Sequence, residues 1–329
     1  MTSTAQRPQT ISTDTPPRVV STTPTGDVSP DEAATVALYG WTDAAAARDT
    51  AFLEVGDGGR LHVDVYPAVG TARGSIVFVG GLSNHALGYA DFEYQLSRRG
   101  WNVVAVDLRG HGRSSGKRGD FTIAMVVEDL ATAAAYAKDR FGVPVALMGS
   151  SLGGFYALCG ANAIEGVEAC VSHWIFMPNE AMTKQDARMR PVALMLDKVA
   201  PGFRLKTTQV ANWDGVCDDP ALMQKCFDDP LMVWKYTARA LASGFRYDPP
   251  RPLTDLRIPQ LVILGDRDKM TSPEYTKRIY GMLQGDKEWV TIPDAGHMGG
   301  LVEHQDEMLD AVDGYLGRKM PAVSAPADA

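Results

Sequence analysis

Short apolar runs alternate with longer amphipathic stretches along most of this 329-residue chain. Runs of strand length begin at Ser75, Val103, Val143, Val167, Gln260 and Glu288. Residues 122–138 instead place apolar side chains at helical spacing, which predicts an amphipathic helix. Residues 51–55 and 60–66 flank the turn sequence GDGG and predict a β-hairpin. The alternation predicts an α/β fold, with a mostly parallel, doubly wound sheet that carries helices on both faces.

The regular alternation covers two separate stretches, residues 46–175 and 246–319, which we assign to one core. Residues 176–245 interrupt it and predict an inserted cap. The first 29 residues are rich in Ser, Thr and Pro, which favours disorder. Ser29 and Glu32 then match a capping box with Pro30 at the first helical position, so a short helix through Leu38 is expected. We treat residues 1–45 as a mostly disordered extension and residues 320–329 as a flexible tail.

The sequence GSSLGG at residues 149–154 directly follows one buried run and precedes an apolar, helix-like stretch. A strand, a tight turn and a helix in this order expose the central serine of a GxSxG motif. Gly149 and Gly153 allow the turn and the first helical turn to approach closely. The free amides of the helix start face any negative charge that forms beside Ser151. Ser151 is therefore the candidate nucleophile.

A serine hydroxyl needs a histidine base, and that base needs a carboxylate to orient it. In this architecture the chain order is serine, acid, histidine. His297, on a loop after a β-rich run, is the candidate base, whereas His304 falls within a polar helix and is interpreted as a surface residue. The run from Gln260 ends in GDRD, and Asp268 is our choice of acid, with Asp266 as the alternative.

Acyl transfer also requires donors for the oxyanion. The amide after the nucleophile and an amide from the loop after an earlier strand serve this purpose in the strand–serine–helix architecture. The predicted donors are the backbone N–H groups of Leu152 and Leu82. Asp107, which ends the run from Val103, precedes the serine in the chain and is interpreted as structural.

These motifs, together with DLRGHGRSSGKRGD at residues 107–120 and DAGH at 294–297, resemble the α/β-hydrolase superfamily, in particular its monoacylglycerol lipase and lysophospholipase branch. The resemblance covers roughly residues 50–318. It implies an α/β-hydrolase fold and a Ser-Asp-His triad. Acyl transfer by such a triad needs no metal or organic cofactor. The branch usually has His-Gly where this chain has Gly80 and Gly81, so the residue that shapes the oxyanion loop differs. The sequence DPL at residues 229–231 resembles a short sequence that recurs in the cap of this branch.

Methionines and tryptophans are frequent in the segment assigned to the cap, which favours an adaptable apolar pocket. The candidate substrate-binding residues are Met177, Met182, Trp213 and Trp234. The expected reaction is hydrolysis of a small ester with an apolar acyl chain, such as a monoacylglycerol or lysophospholipid, through an acyl-enzyme. An acyltransferase, a C–C bond hydrolase or an amidase on the same scaffold would carry the same triad, and a non-catalytic binding protein is a further alternative.

The formal charge of −8 is spread along the chain without a basic cluster, which argues against nucleic acid as a partner. No run of eighteen apolar residues and no secretory leader is evident, so a cytoplasmic protein is expected, with peripheral membrane contact left open. The sequence does not indicate an oligomeric state. Cys159 and Cys170 are expected to be buried thiols, and a disulfide between Cys217 and Cys226 is possible.

Overall fold

The computed structural model describes residues 9–23, 28–180 and 184–320. Its strands are β1 (Val19–Thr23), β2 (Asp49–Glu54), β3 (Arg60–Tyr66), β4 (Gly74–Val79), β5 (Trp101–Asp107), β6 (Val145–Ser150), β7 (Val167–His173), β8 (Arg204–Lys206), β9 (Lys235–Thr237), β10 (Gln260–Gly265) and β11 (Lys287–Ile292). Its α-helices are α1 (Pro30–Tyr39), α2 (Thr42–Ala47), α3 (Ala90–Arg98), α4 (Ile123–Phe141), α5 (Leu152–Ala163), α6 (Lys184–Val199), α7 (Pro220–Asp228), α8 (Ala238–Arg246), α9 (Pro273–Met282) and α10 (Gln305–Lys319).

Nine of the strands form one sheet in the order β1-β2-β3-β5-β4-β6-β7-β10-β11. Within this sheet six strands run parallel, namely β5, β4, β6, β7, β10 and β11. The other three, β1, β2 and β3, are antiparallel to their neighbours. The central strands are buried along their whole length, and separate apolar clusters cover the two faces of the sheet. This confirms the predicted fold class, the hairpin and the long helix, which extends to Phe141 because Gly142 ends it in a left-handed conformation with φ 64°.

The winding of the sheet positions the functional loops. The chain passes from β4 to β5 on one side and then returns to β6 on the other side of β4. The loops that leave the carboxyl ends of β4 and β6 therefore diverge, and ligands bind in such a crevice in open α/β sheets. Gly80 begins one of these loops and Ser151 lies on the other.

The prediction of disorder for the first 29 residues is wrong over part of their length. β1 pairs antiparallel with β2 and extends the sheet. Upstream of it, Ile11 forms an isolated parallel bridge with Ile164, and its N–H donates to the carbonyl of Ala163 at 2.8 Å. The sequence VVSTT has few large side chains to bury, but its β-branched residues suit a strand at the edge of a sheet. Backbone pairing, rather than core packing, orders this segment.

The predicted capping box and the helix that follows it are confirmed. The Ser29 side chain accepts the Glu32 N–H, the Glu32 carboxylate accepts the Ser29 N–H, and α1 runs from Pro30 to Tyr39. Glu32 is fully buried and pairs with Arg48 at 2.6 Å and with Arg113 at 3.0 Å. Burial opposes ionisation of Glu32, but the Ser29 N–H and the Arg48 guanidinium hold its pKa below the ordinary value. Arg48 also pairs with buried Asp64.

The chain between β7 and β10 contains α6, α7, α8 and a two-stranded sheet of β8 and β9. None of the helices within the described ranges combines the length and the apolar character needed to cross a bilayer. Met320, which we assigned to the flexible tail, is buried, because its side chain packs beside Gly74. The rest of the predicted tail lies outside the described residues.

The four cysteines are free thiols in the structure. Cys159 and Cys170 are buried, and burial raises the pKa of Cys170 to about 12, so both suit the predicted role of inert core residues. Cys217 and Cys226 are half-buried, and burial raises the pKa of each. The disulfide that the sequence allowed is not formed here.

Glu93 in α3 is fully buried, and neither of its carboxylate oxygens has a hydrogen-bond partner within the described residues. Burial, with the nearby carboxylates of Asp64 and Asp107, raises its pKa well above 4.5. Glu93→Met should therefore increase the free energy of unfolding at neutral pH by about 1–3 kcal/mol. The increase should shrink as the pH falls to about 4.5, since folded Glu93 keeps its proton while the unfolded carboxyl ionises above that pH.

Urea titrations between about pH 4.5 and pH 8 measure this difference. The matched control is Glu168→Met on β7, where the side chain is exposed, and its effect should stay within about 0.5 kcal/mol at every pH. A Glu93→Met effect that does not change with pH would contradict the interpretation.

Candidate active site

Ser151 lies at a strained turn between β6 and α5. Its φ is 55° and its ψ is −125°, and its N–H donates to the carbonyl of His173 at 2.9 Å. Gly149 and Gly153 pass so close to each other that a Cβ at Gly149 would overlap the carbonyl oxygen of Gly153. A Cβ at Gly154 would likewise overlap the carbonyl oxygen of Trp174. Glycine at these positions therefore permits the turn that presents the Ser151 side chain.

The structure brings Ser151, His297 and Asp268 together from three loops. His297 Nε2 lies 2.8 Å from Ser151 Oγ, and its Nδ1 lies 2.8 Å from Asp268 Oδ2. These loops follow β6, β11 and β10, so parallel strands deliver all three side chains to one edge of the sheet. His297 is 1% exposed, which keeps both of its hydrogen bonds out of bulk water.

Asp268 is held in place by more than His297. Its Oδ1 accepts the backbone N–H groups of Met270 at 2.7 Å and Thr271 at 3.1 Å. Burial opposes ionisation, but the hydrogen bond from His297 and these two amides hold the pKa of Asp268 below its ordinary value. A carboxylate in this state fixes the ring orientation of the histidine that it contacts.

The alternative residues lie elsewhere. Asp266 is exposed, and its backbone N–H bonds to Ile292. His304 lies 3.5 Å from Glu307 one helical turn away, at the start of α10. Neither contacts Ser151. Asp107 is buried, and its carboxylate accepts the N–H groups of Ala86 and Arg113, each at 2.8 Å, which ties together the loops after β4 and β5.

The predicted oxyanion donors flank the serine. A Cβ at Gly81 would lie 2.9 Å from the Cβ of Ser151, so the loop after β4 passes directly beside the nucleophile. Leu82 follows in that loop, and Leu152 is the first residue of α5. Among the residues that the structure describes, no hydrogen bond uses the N–H of either leucine. Both N–H groups therefore lack a partner among these residues, as the predicted role requires.

Tyr89 shapes the oxyanion loop, and the sequence analysis missed it. A Cβ at Gly80 would lie 2.6 Å from the Tyr89 ring, so the ring occupies the space that a larger residue at position 80 would need. The Tyr89 hydroxyl accepts the N–H of Gly81 at 3.0 Å. The pair Gly80 and Tyr89 thus explains the departure from His-Gly. Tyr89 lies nine residues after Gly80 in the sequence, but this spacing alone does not indicate that its ring packs against the glycine.

The insertion between β7 and β10 also contacts this loop, through Ser83. Ser83 is fully buried with φ 69°, and its N–H donates to the Tyr236 hydroxyl at 2.8 Å. Its Oγ lies 3.1 Å from Thr207 Oγ1, and its carbonyl accepts the N–H of Val233 at 2.9 Å. The Tyr236 hydroxyl also lies 2.7 Å from His111 Nε2. Burial lowers the pKa of His111 to about 4, so its ring is neutral at neutral pH.

A cavity of about 410 Å³ opens at Ser151 and His297. Of the four substrate-binding candidates, Trp213 lines it. Met177 does not, because it packs in the core with its N–H bonded to Tyr275. Trp234 does not line it either, and instead supports Trp213 with ring centroids 4.9 Å apart. Met182 lies outside the described residues.

Large apolar side chains besides Trp213 also line the cavity. They are Tyr39, Trp41, Leu82, Tyr89, Phe92, Val216, Leu222, Met223, Met232, Met270, Met298, Leu301 and Val302. Met270 and Met298 follow Asp268 and His297 closely, so their loop positions indicated proximity to the site. Tyr39 and Trp41 could not be placed there, because the region was assigned to a disordered extension.

Within the described residues, one buried group has the composition of a metal site, formed by Glu32, His62 and Asp64. Arg48 bonds both carboxylates, and His62 Nδ1 lies 2.8 Å from Asp107. The guanidinium already supplies the positive charge that these carboxylates require. This group therefore fits an internal ion-pair network rather than a metal centre.

Comparison with known families identifies the class of protein. The family model described as "Serine aminopeptidase, S33" matches residues 70–301, which is more than half of the chain. The chain belongs to this family.

Individual proteins agree with this assignment. In sequence, the chain is 29% identical to a monoacylglycerol lipase of Mycolicibacterium smegmatis over 222 residues, 65% of this chain and 76% of that protein. In structure, it is similar to a monoacylglycerol lipase of Paleococcus ferrophilus, with TM-score 0.67, 23% identity, and coverage of 79% of this chain and 99% of that one. A carboxyl esterase of Bacillus coagulans has TM-score 0.70 and 17% identity, with 83% and 99% covered.

These likenesses confirm the recognised superfamily, the fold class and the prediction of a hydrolase. The relatives named here are lipases and an esterase. The solved structures, at this level of identity, establish the fold.

The close approach at the serine turn predicts that Gly149→Ala destabilises the protein. The added methyl group would overlap the Gly153 carbonyl, and crowding of this kind costs about 1–3 kcal/mol. Gly56→Ala is the control, because no heavy atom lies within 4 Å of a Cβ there, and its effect should stay within about 0.5 kcal/mol. Denaturant unfolding compares the two variants. Equal effects would show that the turn tolerates a side chain at position 149.

Proposed function

We propose that this hydrolase cleaves carboxylic esters through an acyl-enzyme formed on Ser151. The observation that carries the proposal is the double hydrogen bond of His297, which contacts Ser151 Oγ through one nitrogen and Asp268 through the other. A neutral imidazole in this position accepts the serine proton, while the carboxylate stabilises the resulting imidazolium. The lowered pKa of Asp268 keeps it ionised for this role.

The proposed reaction has two acyl-transfer steps. Ser151 Oγ attacks the ester carbonyl carbon and its proton passes to His297 Nε2, while the N–H groups of Leu82 and Leu152 stabilise the oxyanion. His297 then returns the proton to the departing alcohol oxygen, which leaves Ser151 acylated. A water molecule attacks the acyl carbon, its proton passes to His297, and the carboxylic acid departs as Ser151 regains its proton. No cofactor enters this sequence.

The cavity supports a substrate with an apolar group. Apolar side chains form most of its wall, and a volume of about 410 Å³ lies within the range of small-molecule pockets. Polar side chains line it at Asn84, Asp91, Asp219, Lys225 and Gln305. An apolar acyl chain esterified to a small polar alcohol suits this combination, as in a monoacylglycerol. In this proposal residues 176–245 act as the cap, with Trp213 in the substrate-binding wall.

Ser151→Ala should abolish both hydrolysis of short nitrophenyl esters and covalent labelling by a fluorophosphonate. Removal of a nucleophilic serine from such a triad reduces kcat by a factor on the order of 10⁶. Circular dichroism checks that the variant remains folded. Labelling retained by Ser151→Ala would assign the nucleophile to another residue, and a parallel panel of amino-acid nitroanilides tests whether amides are cleaved faster than esters.

Asp268→Asn should lower kcat by a factor on the order of 10⁴, because an amide neither holds the required tautomer of His297 nor stabilises its charged form. Asp266→Asn is the matched control two residues away, where the carboxylate is exposed, and its kcat should change less than about threefold. Steady-state kinetics on one nitrophenyl ester compares them. A larger loss in Asp266→Asn would make that residue the acid.

A further inference from the structure

An aromatic pair at the end of α1 reaches the cavity. α1 ends at Tyr39, Gly40 adopts a left-handed conformation with φ 82°, and the chain turns so that Trp41 lies back on Tyr39. The two rings stack with centroids 4.4 Å apart and an interplanar angle of 8°. A left-handed residue between them makes this reversal possible, and glycine adopts that conformation without steric cost.

Both rings line the same cavity as Ser151 and His297. The Tyr39 hydroxyl contacts Cys226 Sγ of α7 at 3.6 Å, so the pair meets the insertion across the cavity wall. Trp213 lines the cavity as well. The apolar chamber is thus closed partly by core residues, partly by the insertion, and partly by the segment that precedes the hairpin. Without Tyr39 and Trp41 this part of the wall would be open.

The helix that carries Tyr39 is held by buried polar contacts as well as by apolar packing. Thr35 in α1 donates to Asp229 Oδ1 at 2.8 Å, and Asp229 Oδ2 lies 2.8 Å from His85 Nε2. All three side chains are buried. Burial opposes ionisation of Asp229, but its bond to His85 holds the pKa below the ordinary value. One carboxylate therefore joins α1, the insertion and the loop after β4, while Glu32 fixes the start of the helix.

This segment lies outside the residues that the family model matches, 70–301. We infer that Tyr39 and Trp41 are specificity-determining residues, a wall that limits the length of the apolar group the cavity accepts. The inference rests on the proposed ester hydrolysis for its catalytic readout. A rigid aromatic pair in the wall of the chamber excludes longer chains by overlap where they meet it, and one methylene group that does or does not fit changes kcat/KM by about tenfold or more.

The test uses nitrophenyl esters with acyl chains of two to sixteen carbons. The chain-length ratio is kcat/KM for an acyl chain longer than the wild-type optimum, divided by kcat/KM for the optimal chain. Trp41→Ala should raise this ratio by at least about tenfold. Tyr39→Ala should shift the ratio in the same direction, and Trp41→Phe should have an intermediate effect while it preserves stacking. The control is Trp289→Ala on β11, an indole that packs against Tyr280 outside the cavity and whose loss should leave the ratio unchanged.

A second measurement separates this inference from the catalytic proposal. In a Ser151→Ala background, calorimetric binding of octanoate and hexadecanoate is compared with and without Trp41→Ala. The ratio of the octanoate Kd to the hexadecanoate Kd should rise at least about tenfold when the ring is removed. If the wild type is not labelled by the fluorophosphonate, only the catalytic proposal is contradicted. The binding ratio still tests whether Tyr39 and Trp41 limit the chain length, because it does not depend on catalysis.

The inference is overturned if Trp41→Ala changes neither the chain-length ratio nor the binding ratio relative to the protein that retains Trp41. It is equally overturned if Trp289→Ala shifts them as much, since the effect would then follow from general loosening. If Trp41→Ala does not fold, Trp41→Phe and Tyr39→Ala decide by the same two ratios.

Discussion

The backbone of Ser151 has a φ of 55°, a value that residues with a Cβ rarely adopt. The strand before Ser151 and the helix after it hold the backbone in this conformation. That turn exists because glycines at positions 149, 153 and 154 let β6, α5 and the carbonyl of Trp174 approach more closely than any side chain would permit. From it follow the exposure of Oγ, the free N–H of Leu152, and contact with His297. Strain of this kind persists where the surroundings over-determine it, and here a buried sheet and two apolar clusters do so.

A second layer of contacts fixes the surroundings of the serine. Tyr89 forms a hydrogen bond with Gly81. Ser83 is contacted by Tyr236 and Thr207. Asp229 links His85 to α1. These contacts converge on the loop after β4, which carries the proposed oxyanion donor. Electrostatic stabilisation of a transition state depends on donors that are already in place when charge develops. The insertion and the N-terminal helix thus act on the same short loop, although they are far apart in sequence.

The hydrophobic pattern was sufficient to predict the sheet, the hairpin and the helix after Thr122, because buried strands and an amphipathic helix leave a strong local signal. The serine turn and the two loops that meet it were also predictable, since the motif fixes backbone geometry and the chain order limits the partners. What failed depends on distant contacts. β1 has little apolar surface and is ordered by pairing with β2, and Met177 and Trp234 belong to the core and to a supporting layer. Tyr39 and Trp41 reach the cavity through a left-handed Gly40 that composition alone does not reveal.

The central claim is that Ser151, His297 and Asp268 form one acyl-transfer unit. The most direct measurement is intact-protein and peptide mass spectrometry of enzyme mixed with a nitrophenyl ester and quenched in acid during the first turnovers. We expect a mass increase equal to one acyl group, located on the peptide that contains Ser151 and released as the substrate is consumed. An acyl group on a different residue, or product formation at full rate with no acylated protein at any time, would contradict it.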